Sequence, residues 1–160
     1  MFNIGDKIVY PVHGAGTIVD IEEIEILGDV KSYYIMQMPI NDIRISIPVD
    51  GVDEVGVRPV ISQDEGKKVL EILKSEKTEM SPNWGQRYRE NTETIKTGDI
   101  FEIADIVRNL TLMDKNKGLS TSEKKMLNNT KRILVSELVI VGSMTKEEAS
   151  EMIDDLITTD

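Results

Sequence analysis

The sequence predicts an α+β protein in which a small β-barrel is followed by an all-α bundle of about five helices. Two observations lead to this fold class. Up to residue 58, short runs alternate apolar and polar side chains and are separated by Gly and Pro, as strands and tight turns require. From residue 59 onward, apolar residues recur at helical spacing and several helix-start signals appear. The predicted domains are therefore 1–58 and 59–160.

The β domain begins with three strand patterns. The first, 7–10, stops at a proline, and a Gly-rich turn follows it. The second, 17–26, loses its alternation near Glu22-Glu23, which predicts a β-bulge that bends the strand at that point. Gly28 then marks a hairpin that leads to the third strand, 33–38.

The fourth strand has the clearest alternation. Ile43, Ile45 and Ile47 point to one face, whereas Arg44 and Ser46 point to the other. Four or five short strands joined by tight turns, one of them bent, favour a small SH3- or Tudor-like barrel.

After a crossover at 51–59, which contains two glycines and one proline, the chain is predicted to be helical. Four helix starts can be recognised in this region. Three are capping boxes, and the fourth is Ser81-Pro82, because Pro suits the first helical position. The capping boxes are Ser62 with Glu65, Ser120 with Glu123, and Thr145 with Glu148. The predicted helices are 62–75, 81–97, 99–117, 120–142 and 145–158.

The composition leaves few residues for catalysis. The sequence has no Cys and a single histidine, His13, so it offers no thiol nucleophile and no His-rich metal site. Acidic pairs such as Glu22-Glu23 and Asp154-Asp155 point apart on a strand or a helix and are typical of a solvated surface. We therefore predict a protein that is not an enzyme and that uses neither a cofactor nor a metal.

The same composition predicts a cytoplasmic protein with no membrane contact. No apolar run approaches the roughly 20 residues of a membrane span, and the first residues lack the basic and apolar regions of a signal peptide. The absence of Cys suits a reducing compartment.

Charge is distributed unevenly along the chain, whose net charge is -10. Segment 81–132 carries 10 basic and 7 acidic residues, or +3, whereas 1–60 and 133–160 each carry -6. A basic region inside an acidic protein is compatible with phosphate contact. The alternative is a solvated helical surface with ordinary charge scatter.

The start of the second helix contains the only Trp of the sequence, Trp84. Two interpretations are open. At helical spacing, Trp84 shares a stripe with Tyr88 and Ile95, which is typical of a core anchor. In the other interpretation, a ring in the first turn projects outward between Arg87 and Arg89, and the free amides of the helix N-terminus attract phosphate. Aromatic and basic residues in that combination insert between bases or stack on them.

A second basic cluster surrounds the turn between the third and fourth helices. It consists of Lys115, Lys117, Lys124 and Lys125. The turn lacks side chains typical of base reading, so these lysines predict contact with the phosphate backbone.

Three segments, 5–14, 83–99 and 118–127, resemble in order the motifs of the CarD family of RNA-polymerase-binding transcription regulators. Together they span essentially the whole chain. The first segment also resembles the polymerase-interacting domain of transcription-repair coupling factors. The resemblance implies an N-terminal barrel that docks on the β subunit of RNA polymerase. It further implies a helical domain that contacts promoter DNA just upstream of the melted region.

The resemblance also assigns roles to single residues. It implies that Trp84 acts as a wedge at the upstream edge of the bubble and stabilises the open complex without reading sequence. Arg87, Arg89 and Lys124 match positions where basic residues bind the DNA backbone, and Lys125 extends that cluster.

The polymerase-facing strands depart from the family pattern. Family members often carry arginines there, but the corresponding residues are Ile24 and Ser46; Arg44 shares a face with Ser46 and can supply the charge. We expect a monomer that associates with the nucleoid through polymerase. The alternative is an acidic adaptor that binds proteins and does not touch DNA.

Overall fold

The computed structural model describes residues 1–157 and contains an antiparallel sheet followed by helices, which confirms the predicted α+β class. The strands are β1 (Lys7–Tyr10), β2 (Gly14–Ile26), β3 (Asp29–Gln37), β4 (Arg44–Pro48) and β5 (Arg58–Pro59). The helices are α1 (Gln63–Lys74), α2 (Trp84–Lys96), α3 (Ile100–Asn116), α4 (Thr121–Gly142) and α5 (Lys146–Leu156). The last residue of the predicted helix 145–158 lies outside the described residues.

The five strands form one sheet in the order β4-β3-β2-β1-β5, and every neighbouring pair is antiparallel. This order is compatible with the predicted Tudor-like barrel. One face of the sheet covers an apolar core. The buried members of that core are Ile8, Ile18, Tyr34, Met36, Met38, Ile47, Val52 and Val57.

The β-bulge lies at Val19, so the predicted position at Glu22-Glu23 is wrong. Pairing passes from Ile18 opposite Met36 to Asp20 opposite Ile35, which leaves Val19 as the extra residue. Beyond Asp20 the ladder is continuous to the end of β2. Most side chains in that outer half of β2 are exposed. Because no core selects apolar residues there, the alternation fades without a change in register.

The predicted crossover 51–59 contains a short strand. In β5, Arg58 lies opposite Val9 and Pro59 opposite Ile8. Pro59 is tolerated because β5 is an edge strand, where a missing backbone N–H faces away from the ladder. The predicted domain boundary between residues 58 and 59 therefore falls inside β5.

The two helix starts with complete capping boxes are those of α1 and α5, as predicted. The start of α4 differs. The Glu123 amide donates to Ser120 Oγ at 3.3 Å, but the Glu123 carboxylate turns away to another helix. The start of α2 also differs from the prediction, since the N-cap is Asn83, whose Oδ1 accepts from the Gln86 amide at 2.9 Å.

The helices enclose a second apolar core, to which α1, α3, α4 and α5 all contribute. Its most deeply buried members are Val69, Leu73, Ile103, Ala104, Val107, Leu134, Ala149 and Ile153. A smaller cluster of Ile106, Leu110 and Met126 packs beneath α2. Burying a side chain such as Leu134 contributes roughly 1.5–3 kcal/mol, so these cores dominate the stability of the helical domain.

Candidate interaction surfaces

Trp84 occupies the first turn of α2 and is 58% exposed. Tyr88 and Ile95, which share its helical stripe, are half-buried and pack against the cluster beneath α2. Tyr88 and Ile95 therefore pack on the core, whereas Trp84, one helical turn before Tyr88, lies beyond its edge. The core-anchor interpretation of Trp84 is wrong, and a large aromatic ring is left on the surface.

Arg87 anchors the same turn of α2 to the start of α4. Its Nε and Nη2 donate to the two carboxylate oxygens of Glu123 at 2.8 and 2.7 Å, and its Nη1 donates to the Ser81 carbonyl at 3.0 Å. Arg87 is 8% exposed and Glu123 is 1% exposed. The hydrogen bonds to Glu123 raise the pKa of Arg87 above its ordinary value, so the guanidinium stays charged.

This geometry changes the role predicted for Arg87. A guanidinium that is buried and paired in a two-pronged contact has little capacity left for a phosphate. We therefore reassign Arg87 from a DNA-backbone ligand to a residue that positions Trp84.

The other three basic residues predicted to contact DNA lie on the surface. Arg89 is exposed on α2, and Lys124 and Lys125 are exposed in the first turn of α4. Among the ion pairs formed within residues 1–157, none involves these three side chains. Their contact with DNA remains a prediction.

The segment that leads from α1 to Trp84 is held by the buried residues Arg108 and Asn109 of α3. Arg108 is 1% exposed, pairs with Asp105 and donates to the Ile72 carbonyl at 2.7 Å. Next to it, Asn109 Oδ1 accepts from the Thr78 amide at 3.1 Å. A signal was present, since Arg108 interrupts an apolar helical stripe in α3.

The residues predicted to face polymerase lie on one face of the sheet. Ser46 is opposite Ile35 and Arg44 is opposite Gln37, whereas Ile24 is opposite Lys31 at the far end of β3. Directly opposed residues share a face, so the register places all three predicted residues together on it.

Within that face, Ile24 lies apart from the other two residues. The β3 partner of Ile24 lies four positions from that of Ser46 and six from that of Arg44, or roughly 13 and 20 Å along the strand. Arg44 and Ser46 are exposed and Ile24 is half-buried. Arg44 Nε also donates to Gln37 Oε1 at 2.9 Å, which directs its guanidinium along the sheet.

A charged joint connects the sheet to the helices. Arg58 donates to both carboxylate oxygens of Glu137 at 2.9 and 2.8 Å, and also to the Gly98 carbonyl at 2.8 Å. Glu137 is 1% exposed and accepts in addition from the Ile61 amide at 2.9 Å. No local sequence pattern points to this pair, because its members are separated by 79 positions.

A second contact closes the same joint. The Ala15 amide donates to Ser136 Oγ at 2.9 Å, and both groups are buried. A Cβ added at Gly14 would lie 2.6 Å from the same oxygen, so only glycine allows this approach. The start of β2 is thus fixed against the second half of α4.

No residue group in the described part of the chain supplies a set of three or more side chains suited to a metal ion. In the same residues, we find no helix with the length and apolar character needed to cross a bilayer. What the fold presents instead is a partly covered sheet face with Arg44 and Ser46 exposed on it, and a helical domain with an exposed aromatic ring, Trp84. Exposed groups of this kind are typical of a binding protein, and the chain builds them on two joined modules.

Comparison with known proteins identifies the family of this chain. Residues 2–61 match the model of the CarD-like/TRCF RID domain, and residues 68–154 match that of the CarD C-terminal domain. The putative transcription factor YdeB of Bacillus subtilis (strain 168) is 42% identical over 148 residues, which cover 92% of this chain and 97% of that protein. The chain belongs to the CarD family, and it is a transcription regulator that interacts with RNA polymerase rather than an enzyme.

Proposed function

We propose that this protein docks through its β domain on the β subunit of RNA polymerase and stabilises the promoter open complex with Trp84. The ring would insert at the upstream edge of the bubble, while Arg89, Lys124 and Lys125 contact the DNA backbone without reading sequence. The observation that carries the proposal is the exposure of Trp84 on a helix start that is itself firmly anchored.

Anchoring matters because a wedge must keep its position as the DNA presses on it. The Arg87–Glu123 ion pair fixes the first turn of α2 from below. The contact of Asn109 with Thr78 fixes the segment that precedes it. A pre-organised ring loses less conformational entropy on binding, and more of its contact energy therefore appears as affinity.

The energies explain why polymerase is needed. One stacked aromatic ring contributes roughly 1–3 kcal/mol, and separating a base step costs a few kcal/mol, so the wedge alone would bind duplex DNA weakly. Docking on polymerase makes the DNA contact intramolecular, at an effective concentration near the millimolar range. A ring that fits only the opened fork then favours the open complex, and about 1.4 kcal/mol of preference shifts the ratio tenfold.

The test is the lifetime of the open complex on a promoter that melts poorly, measured with Trp84→Ala and Trp84→Phe. We expect Trp84→Ala to shorten the lifetime about 5- to 10-fold and Trp84→Phe to retain part of it. Polymerase affinity and the unfolding temperature should stay unchanged, since Trp84 lies outside the cores. Val55→Ala, which removes an exposed apolar side chain from the crossover, serves as the control. An unchanged lifetime for Trp84→Ala would overturn the wedge.

The docking face needs a separate measurement. We expect Ser46→Glu, on the exposed sheet face, to weaken binding to the polymerase β subunit, because it adds bulk and negative charge beside Arg44. Asp53→Ala in the crossover is the control. If Ser46→Glu binds the β subunit as tightly as Asp53→Ala does, docking uses another surface.

A salt titration distinguishes this proposal from the acidic adaptor. Binding that includes phosphate contacts weakens steeply as salt rises, because each contact releases a counterion. Binding of the protein to polymerase alone provides the baseline. If promoter DNA adds neither affinity nor salt dependence to that baseline, the protein acts without touching DNA.

A further inference from the structure

A groove of about 400 Å³ lies between α2 and α4. Its floor is mainly apolar and is formed by Tyr88, Ile95, Met126 and Ile133. Three cations, Lys96, Lys125 and Arg132, stand among the lining residues, and no acidic residue of the described chain is among them. The groove is therefore locally basic, although the protein as a whole has a net charge of -10.

The cations of this groove are accessible. Lys125 and Arg132 are exposed, and the ion pairs found within residues 1–157 include neither of them. Lys96 contacts Glu93 at 3.3 Å in a pair exposed on both sides, which contributes little and is easily exchanged for another anion.

The groove begins one helical turn from Trp84. Tyr88 lies one helical turn beyond Trp84 and already lines the groove. The Arg87–Glu123 pair joins the starts of α2 and α4, and from there the two helices form the two walls. Lys125 and Arg132 are seven residues apart on α4, or about 10 Å along its axis. That span is long enough to reach more than one phosphate of a strand, which rises by roughly 3.4 Å per nucleotide along the duplex axis.

Val12 stands at the end of the groove near the sheet and adds an independent observation. It is 47% exposed and has a φ of 75°. It occupies the third position of a turn closed by a hydrogen bond from the His13 amide to the Tyr10 carbonyl at 3.0 Å. That position favours Gly or Asn, so a β-branched residue there is strained. Strained residues of this kind cluster where a protein contacts its ligands.

We infer that this groove binds the backbone of one DNA strand on its way from the wedge, with Lys96 and Arg132 as phosphate ligands that extend the cluster of Lys124 and Lys125. The inference rests on the proposed function. The apolar floor suits the sugar face of the strand, and the cations on the rim suit its phosphates. Phosphate contacts along this groove contribute to DNA binding independently of Trp84.

The experiment measures the affinity of the full-length protein for a polymerase–promoter open complex at several salt concentrations, using Lys96→Ala, Arg132→Ala and the double variant. Each lost phosphate contact should lower the slope of log affinity against log salt by about 0.7–0.9, so the double variant should lose about 1.4–1.8. Lys68→Ala on α1 is the matched control, because it removes an exposed charge that does not line the groove. Trp84→Ala should leave the slope unchanged.

The outcomes separate the two proposals. A wild-type slope for the double variant would overturn the groove inference, while a shortened lifetime for Trp84→Ala would leave the wedge in place. A loss of affinity for polymerase without DNA would also overturn it, in favour of an acidic segment of a protein as the occupant. A reduced slope together with an unchanged lifetime for Trp84→Ala would support the groove and reject the wedge.

Discussion

The starts of α1 and α4 carry the same sequence signal, a serine followed three residues later by a glutamate. At α1, Ser62 Oγ accepts from the Glu65 amide at 3.1 Å and Glu65 Oε1 accepts from the Ser62 amide at 3.1 Å. At α4 only the serine caps the helix, because the Glu123 carboxylate binds Arg87 on α2. The same local motif therefore caps only its own helix at α1, whereas at α4 its glutamate joins α4 to α2.

Exposure explains the difference. Glu65 lies at the surface, where the nearest donor to its carboxylate is the backbone of its own helix start. Glu123 is 1% exposed, beneath a guanidinium that is itself buried. A buried charge without a partner is costly, so the pair with Arg87 takes precedence over the cap.

The largest expected effect comes from removing the buried partner. Glu123→Ala should lower the free energy of unfolding by about 3–5 kcal/mol, since it leaves Arg87 charged and unpaired in the interior. The change expected for Glu65→Ala at the surface is much smaller. Urea unfolding of both variants measures the difference. Equal losses for the two would show that the Glu123 contact adds nothing beyond a cap.

A double substitution tests whether the charge or the packing matters at this junction. Arg87→Met combined with Glu123→Leu replaces the ion pair with apolar groups of similar volume, and it should restore most of the stability lost in Glu123→Ala. Urea unfolding again gives the comparison. A double variant as unstable as Glu123→Ala would mean that shape, rather than an uncompensated charge, accounts for the loss.

The two serines should behave alike, in contrast to the two glutamates. Ser62→Ala and Ser120→Ala should each lower the free energy of unfolding by about 1 kcal/mol, because each removes one acceptor for a free amide at a helix start. Ser122→Ala, one position beyond the first residue of α4, is the control for side-chain removal. A clearly larger loss at Ser120 than at Ser62 would contradict equal capping.

The smallest effect is a dependence on pH at α1. The hydrogen bonds with Ser62 lower the pKa of Glu65 from its ordinary value of 4.5. A carboxyl whose pKa is lower in the folded state stabilises the fold above its unfolded pKa and loses that contribution as pH falls through its folded pKa. Stability of the wild type should therefore decline more steeply below about pH 4.5 than that of Glu65→Gln, as thermal unfolding between pH 3 and 6 would measure. Parallel curves would show that Glu65 does not contribute to the pH dependence of stability.

The same distinction between local and distant interactions decides how far the sequence predicts the structure. The alternation of β4 and the capping boxes of α1 and α5 are correct predictions, because these signals involve neighbours two to four positions apart. The bulge at Glu22-Glu23 was misplaced to a region where no core enforces a pattern. The start of α2 was misplaced by three residues, because Ser81-Pro82 matched a helix start while Asn83 supplied the cap.

The interaction surfaces show more clearly which features the sequence does not predict. The sequence indicated Trp84 and the lysines of α4 as candidates for DNA contact. The helical spacing of Trp84 with Tyr88 and Ile95 was, however, also compatible with a core position for Trp84. Only the packed helices leave that ring on the surface. The sequence also assigned Arg87 to DNA, whereas packing makes it the partner of Glu123.

Three features can be read from the chain before it folds: the division into strands and helices, the shortage of catalytic residue types and the local surplus of basic charge. Each of these follows from composition or from short spacing. Packing and strand register set which charges are paired, which face of the sheet carries Arg44 and Ser46, and how the sheet is joined to α4 through Arg58 and Glu137. The physical reason is that these contacts join residues far apart in the chain, and their partners exist only once the cores have packed and excluded water.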